Sequence, residues 1–231
     1  MSVNRVLHLL PAFSLISLCL LLSACSDSDN NQDTPDQQPI IASARVATEA
    51  DLLSGPLARG VAGDYVLENE YLRVIIQKPG RQWLSIGTFG GNIIDVSRKD
   101  ETGGMLPDHL EEFIIGLNIE NTPNYTDVRI ENDGSDGQPA MICAIGPDDL
   151  LELANASSAV SAFGIPLPPA ADDKDLPVEI ETCYSLEVGA KYVVLDSTFR
   201  NLGLEAFDVY MTEYLNGSGQ VGFFQTYAGF G

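Results

Sequence analysis

The sequence predicts an all-β protein, a large antiparallel β-sandwich with one short helix. Three observations predict it. Asp127–Glu131 alternates apolar and polar side chains, the period of a strand buried on one face, and other runs such as Val178–Leu186 are strand-like. The runs are rich in Val, Ile, Tyr and Phe and are bounded by Gly, Asn, Asp and Pro, the residues that supply turn geometry. Near the C-terminus they recur at short intervals, the rhythm of an antiparallel meander.

The elements follow in order from Ala42. Tyr65–Leu67 and Tyr71–Gln77 flank Glu68, Asn69 and Glu70, which reads as a hairpin. Trp83–Ile86 and Asn92–Val96 flank Gly87, Gly90 and Gly91, a tight crossing between strands. Phe113–Ile119 is a further apolar run. Asp127–Glu131 is followed by the turn Asn132–Gly137 and a returning strand, Ala140–Ile145. Pro147, Asp148 and Asp149 then place a proline and two acids where a helix would begin, and Leu150, Leu151, Leu153 and Ala154 continue it. This predicts the short helix, ending before Ser157. Residues 161–177 hold Pro166, Pro168, Pro169 and Pro177 and read as a surface loop. Val178–Leu186, Lys191–Phe199 and Ala206–Leu215 are the last long strands, with turns at Val188–Ala190 and Asn201–Gly203. The ending Gln220–Gly231 is apolar and glycine-rich, so the sandwich domain, residues 42–231, is expected to be truncated at its C-terminal end and the natural chain to be longer.

The first 24 residues read as a secretion signal: Arg5 in a polar start, an apolar run from Leu9 to Leu22, then small residues and an abrupt change to polar sequence. The apolar run, about 14 residues, is too short to span a bilayer as a helix. Leu22, Ser23, Ala24 and Cys25 resemble the lipobox of bacterial lipoproteins. The resemblance implies that Cys25 becomes the first mature residue, carries the lipid, and attaches the protein to a membrane. Ser26 after it implies the outer membrane in a Gram-negative source. Residues 25–41 hold almost no apolar side chain and are expected to be a disordered tether.

The formal net charge is −21, and removing the signal takes away Arg5 and none of the 33 acidic residues. Such a surface repels nucleic acid. It suits solubility and, as a second reading, divalent or cationic ligands. Cys19 leaves with the signal and Cys25 is lipidated, so Cys143 and Cys183 remain, both in strand-like runs. They are either a disulfide, which export permits, or two buried thiols.

Few residues carry chemistry. His109 is the one histidine outside the signal, so no multi-histidine metal site can form in this chain, and no cofactor motif is legible. Its neighbours Asp108, Glu111 and Glu112 make it a candidate for acid–base work, against the plainer reading of a polar loop. Asn132–Gly137 superficially resembles a calcium loop, but the twelfth position is Cys143 rather than an acid, so a hairpin turn is expected. Arg81 and Trp83 could form a carbohydrate- or carboxylate-binding surface, or Trp83 could fill the core. Tyr214 and Asn216, with Tyr210 and Gln220, form a second polar–aromatic set, equally readable as strand packing.

Gly63–Gln77 together with Gly87–Asp95 resembles the N-terminal β-region of certain exported bacterial lipoproteins, some of which are metallohydrolases with a following PHP-type domain. Glu181–Tyr214 is similar in rhythm to galactose-mutarotase-like supersandwiches. The resemblance implies a supersandwich-like fold and transfers no catalytic residue. The expectation is therefore a membrane-anchored exported lipoprotein with a binding or accessory domain, carbohydrate being the suggested ligand. The alternatives are the N-terminal part of a larger sugar-modifying or metal-dependent hydrolytic enzyme, and a structural envelope lipoprotein. Oligomeric state is not legible.

Overall fold

The computed structural model describes residues 42–80, 89–118, 121–151, 163–164, 175–217, 225–226 and 229–230. The strands are β1 (Ser43–Val46), β2 (Tyr65–Glu68), β3 (Leu72–Ile76), β4 (Ile93–Arg98), β5 (Leu110–Leu117), β6 (Asn121–Pro123), β7 (Asp127–Asn132), β8 (Ala140–Leu150), β9 (Val178–Leu186), β10 (Val194–Asn201), β11 (Met211–Gly217), β12 (Gln225–Thr226) and β13 (Gly229–Phe230). The first eleven form one continuous antiparallel sheet, in the order β1-β2-β3-β4-β5-β6-β8-β9-β10, with β11 added on β5 and β7 on β8. The all-β antiparallel architecture is as the alternating sequence requires.

The two halves of the sheet are joined because β8 serves three partners. Ala140–Pro147 pairs with β9 along one edge, while along the other Met141–Ile145 pairs with β7 and Asp148–Leu150 with β6. The sheet therefore turns over on itself, and its two halves bury one core between them. Leu67, Val74, Ile76 and Ile93 of the first half meet Val128, Ile142, Ala144, Tyr184 and Leu186 of the second. Hydroxyls also cross between the halves. Tyr65 donates to the Val128 carbonyl at 2.7 Å, and Tyr184 donates to the Gly91 carbonyl at 2.9 Å. Gly91 has φ of 74°, and a Cβ there would overlap the Tyr125 ring, so both backbone and packing demand glycine.

The outer face of β2, β3 and β4 carries a second, smaller core. Val66, Ile75 and Ile94 are covered by Ala47 and Leu53 of the long β1–β2 connection. Buried aspartates pin that connection. Asp95 accepts from the Arg59 and Gly60 amides at 2.8 and 2.7 Å, and Asp64 accepts from the Val61 and Lys78 amides at 2.9 and 3.1 Å.

Two expectations are corrected. Pro147–Leu150 is not helical but extends β8, and among the described residues the one helical turn is a 3-10 turn at Glu49–Asp51. Proline has no N–H to give a ladder, and Pro147 is the last β8 residue paired with β9, opposite Glu179, while its carbonyl accepts from the Asn124 amide in the β6–β7 link, so the missing donor falls at the end of a ladder. Its acidic followers bind side chains instead of capping a helix: Asn121 donates to Asp148 and Asn124 to Asp149. Nor do the last strands form a simple meander. β11 leaves β10 and pairs with β5, from Met211↔Leu117 to Gly217↔Leu110. Phe207 and Val209, in the link, pack beside Leu117, Val178 and Ile180, and the Asn118 amide donates to the Tyr210 carbonyl at 2.6 Å. Those contacts carry the chain across to β5.

The hairpin through Asn69 and the turn Asn132–Gly137 form as the sequence predicts. In the latter, side chains of Asn132, Asp133 and Asp136 each accept a backbone amide two residues on, and Gly134 and Gly137 take positive φ.

Candidate functional site

β4 and β5 touch at one register pair, Ile93↔Phe113, and then diverge. A groove of about 620 Å³ opens beside the divergence. Its walls are Leu72 of β3, Val96 of β4, Leu106 and His109 of the β4–β5 connection, Leu110 of β5 and Leu215 of β11. Leu72, Val96 and Leu110 also pack against the main core, so the floor of the groove is the open margin of the sandwich interior.

Asp108 holds the two walls apart at a fixed distance. Its Oδ1 accepts from the Val96 amide at 2.8 Å and from the Leu110 amide at 3.2 Å, spanning the gap where strand pairing fails. Burial pushes this carboxyl above its usual range, against the pull of those amides and of His109. Ser97 adds a second tie by donating to the Leu106 carbonyl.

The rim is cationic. Arg98 lines the groove and is exposed. A smaller recess of about 240 Å³ shares Leu72 and Arg98 with it and adds Tyr71, Lys99 and Lys191. The Lys191 ammonium lies 4.8 Å from the centre of the Tyr71 ring, a cation–π distance. Lys99 is committed to Glu68 at 2.7 Å. Arg98 and Lys191 make no ion pair with any described residue.

The residues singled out in the sequence divide here. His109 lines the groove. Glu111 and Asn216 come together: the Asn216 amide donates to Glu111 at 2.7 Å, with Arg59 3.7 Å from the same carboxylate. Glu111 and Glu112 do not form a pair. Neighbours on a strand point to opposite faces, and Glu112 is buried beside Asn92, whose amide donates to it at 3.4 Å. Tyr214 packs over Gly116, where any Cβ would meet its ring. Arg81, Trp83, Gln220 and Cys25 lie outside the described residues. Cys143 and Cys183 stand directly opposite in the β8–β9 register, Cα atoms 4.1 Å apart, and are joined as a disulfide. Glu181 lies close to both sulfurs, but a disulfide offers no thiolate to a metal.

Sequence reasoning did not reach Arg98, Lys191 or Leu215. Each is an ordinary strand or turn residue in its own segment. They share a site only because β11 crosses to β5 and the β9–β10 turn folds over the first hairpin. No known protein family, curated protein or solved structure matches this chain.

Proposed function

We propose that this chain is an exported, lipid-anchored protein whose β-sandwich acts as a binding or accessory module, with the ligand entering the groove at the open margin of the sandwich. The observation that carries the binding role is the groove itself. Its size falls within the ordinary range for small-molecule sites, and its walls are held apart by a buried side chain rather than by loop packing alone. The Cys143–Cys183 bridge supports export, because such bonds persist in oxidising compartments. The leader and the residues around Cys25 support the anchor.

Two measurements test this reading. Cells expressing the full chain and fed an alkyne-tagged palmitate should label it, and Cys25→Ala should abolish the label. A glycan array and an amphiphile panel should show saturable binding to at least one ligand class. An unlabelled chain with an intact N-terminus would overturn the anchor, and failure of every ligand with a folded, oxidised protein would overturn the binding role.

A further inference from the structure

We infer that the groove takes a single-chain anionic amphiphile, a long-chain carboxylate, with its alkyl chain along the leucine-lined floor and its head group at Arg98 and Lys191. This rests on the binding-module reading and names its ligand.

The floor selects an alkyl chain. Leu72, Val96, Leu106, Leu110 and Leu215 are aliphatic and outnumber the one aromatic ring on the groove wall, that of His109, while the Tyr71 ring of the recess is taken by Lys191. Leu215 is 43% exposed although it pairs with Phe113 of β5, one residue before the ladder shifts register at Asn216–Gly217, so apolar surface is left open to water at the groove mouth.

The rim selects a negative head group. The protein carries 12 lysines and arginines against 33 aspartates and glutamates, so a cation is ordinarily surrounded by acids. Arg45, Arg73, Arg129 and Arg200 all follow that rule, each in an ion pair. Among the described residues Arg98, Lys191 and Lys78 make no ion pair, and of these Arg98 and Lys191 line one recess, which shares Leu72 and Arg98 with the groove. A guanidinium with open donors at the end of an apolar trough matches a carboxylate in both charge and geometry. Lys191 is positioned by the Tyr71 ring, which holds its ammonium over the recess without neutralising it.

The test uses the full chain in phosphatidylcholine vesicles and a twelve-carbon fatty acid carrying a terminal diazirine. A matched probe carries trimethylammonium in place of the carboxylate. After irradiation, mass spectrometry should place the carboxylate probe on the peptides spanning 106–110 and 211–217. The yield there should exceed that of the ammonium probe about tenfold, and should fall about tenfold in Arg98→Glu/Lys191→Glu, as expected for loss of hydrogen bonds to a charged group. Both residues are exposed, and an unchanged melting temperature with intact disulfide confirms folding. Excess unlabelled dodecanoate should compete and maltohexaose should not. Equal labelling by the two probes, labelling undiminished in the double variant, or labelling confined to other peptides would overturn the inference. If the carboxylate probe fails while a glycan is captured on the array, the module reading stands and the ligand assignment falls.

Discussion

The Asn69 side-chain amide donates to the main-chain carbonyl of Ala190 at 2.8 Å, tying the first hairpin to the β9–β10 turn across most of the folded chain. The same amide nitrogen donates to the Glu187 carbonyl at 2.7 Å, and the side-chain oxygen accepts from the Tyr71 and Leu72 amides at 2.9 Å each. One buried asparagine thereby shapes the hairpin internally and fixes the recess that holds Lys191. Asn69→Ala removes all four bonds and leaves buried partners unmet. The expected loss is on the order of 3 kcal/mol of unfolding free energy, read from urea denaturation, together with weaker carboxylate-probe labelling. A loss below about 1 kcal/mol would mean that the two elements are held together by packing alone.

The disulfide closes a sequence separation of 40 residues that includes the proline-rich segment. Loop-closure entropy for a span of that size gives a stabilisation of about 4 kcal/mol. Cys143→Ala/Cys183→Ala, or reduction, should lower the denaturation midpoint accordingly. In the untreated protein, denatured without reductant, neither cysteine should react with a thiol reagent.

Stability should depend on pH in a way set by two buried aspartates. Burial raises Asp148 to about 7 and Asp95 to about 6, from an ordinary value of 3.8. In both, neighbouring acids add to the rise while hydrogen-bond donors oppose it. A carboxyl that is harder to ionise when folded keeps its proton in the native state over a pH range where the unfolded chain has lost it. Its contribution is fully present below about pH 4 and is lost as the pH rises through 6 to 7. The protein should therefore be more stable at pH 5 than at pH 8, by a few kcal/mol in order of magnitude. Asp148→Asn keeps an acceptor for Asn121 and for the Leu176 amide, both of which bind one carboxylate oxygen, and should flatten this slope. Melting temperatures across the range would show it, and a variant with the parent's slope would count against the assignment.

Glu68 produces the opposite dependence. Burial pushes its carboxyl up, but Arg73, Lys99 and Arg45 outweigh that and hold it down to about 2. Its stabilisation is present above about pH 4.5 and disappears as the pH falls through 2. Glu68→Gln leaves three cations facing a neutral amide, with Arg45 retaining Asp51. At pH 7 the expected cost is on the order of 3 kcal/mol, shrinking toward zero near pH 2. Paired urea titrations of parent and variant at the two pH values measure the difference.

Much of the sheet was legible because a strand period of two is written locally. Val178–Leu186 reads as a strand and forms β9 with those bounds, its burial alternating throughout although Thr182 and Cys183 break the apolar–polar order. The segment at Pro147 misled for a physical reason. Proline followed by acids is a true helix-start signal when only the local chain competes, but the ladder bonds to β6 and β9 outweighed it. The site was legible in part. His109 stands out as one of only two histidines in the sequence, whereas nothing local to Asn216 says that it meets Glu111. Arg98 and Lys191 carry no local mark, since nothing in their segments says that one lies beside Leu215 and the other above Tyr71.

By itself the sequence determined most of the longer strands, the turns at Asn69 and Asn132–Gly137 and the acidic character, because hydrophobic alternation and turn chemistry act between residues close along the chain. Only the tertiary structure decided that β8 would serve three partners, that β11 would cross to β5, that Cys143 would meet Cys183, and that Arg98 and Lys191 would line one recess beside an apolar groove. Those outcomes come from register and burial between segments far apart in sequence, where every local pattern is satisfied equally well by several pairings and the shared core selects among them.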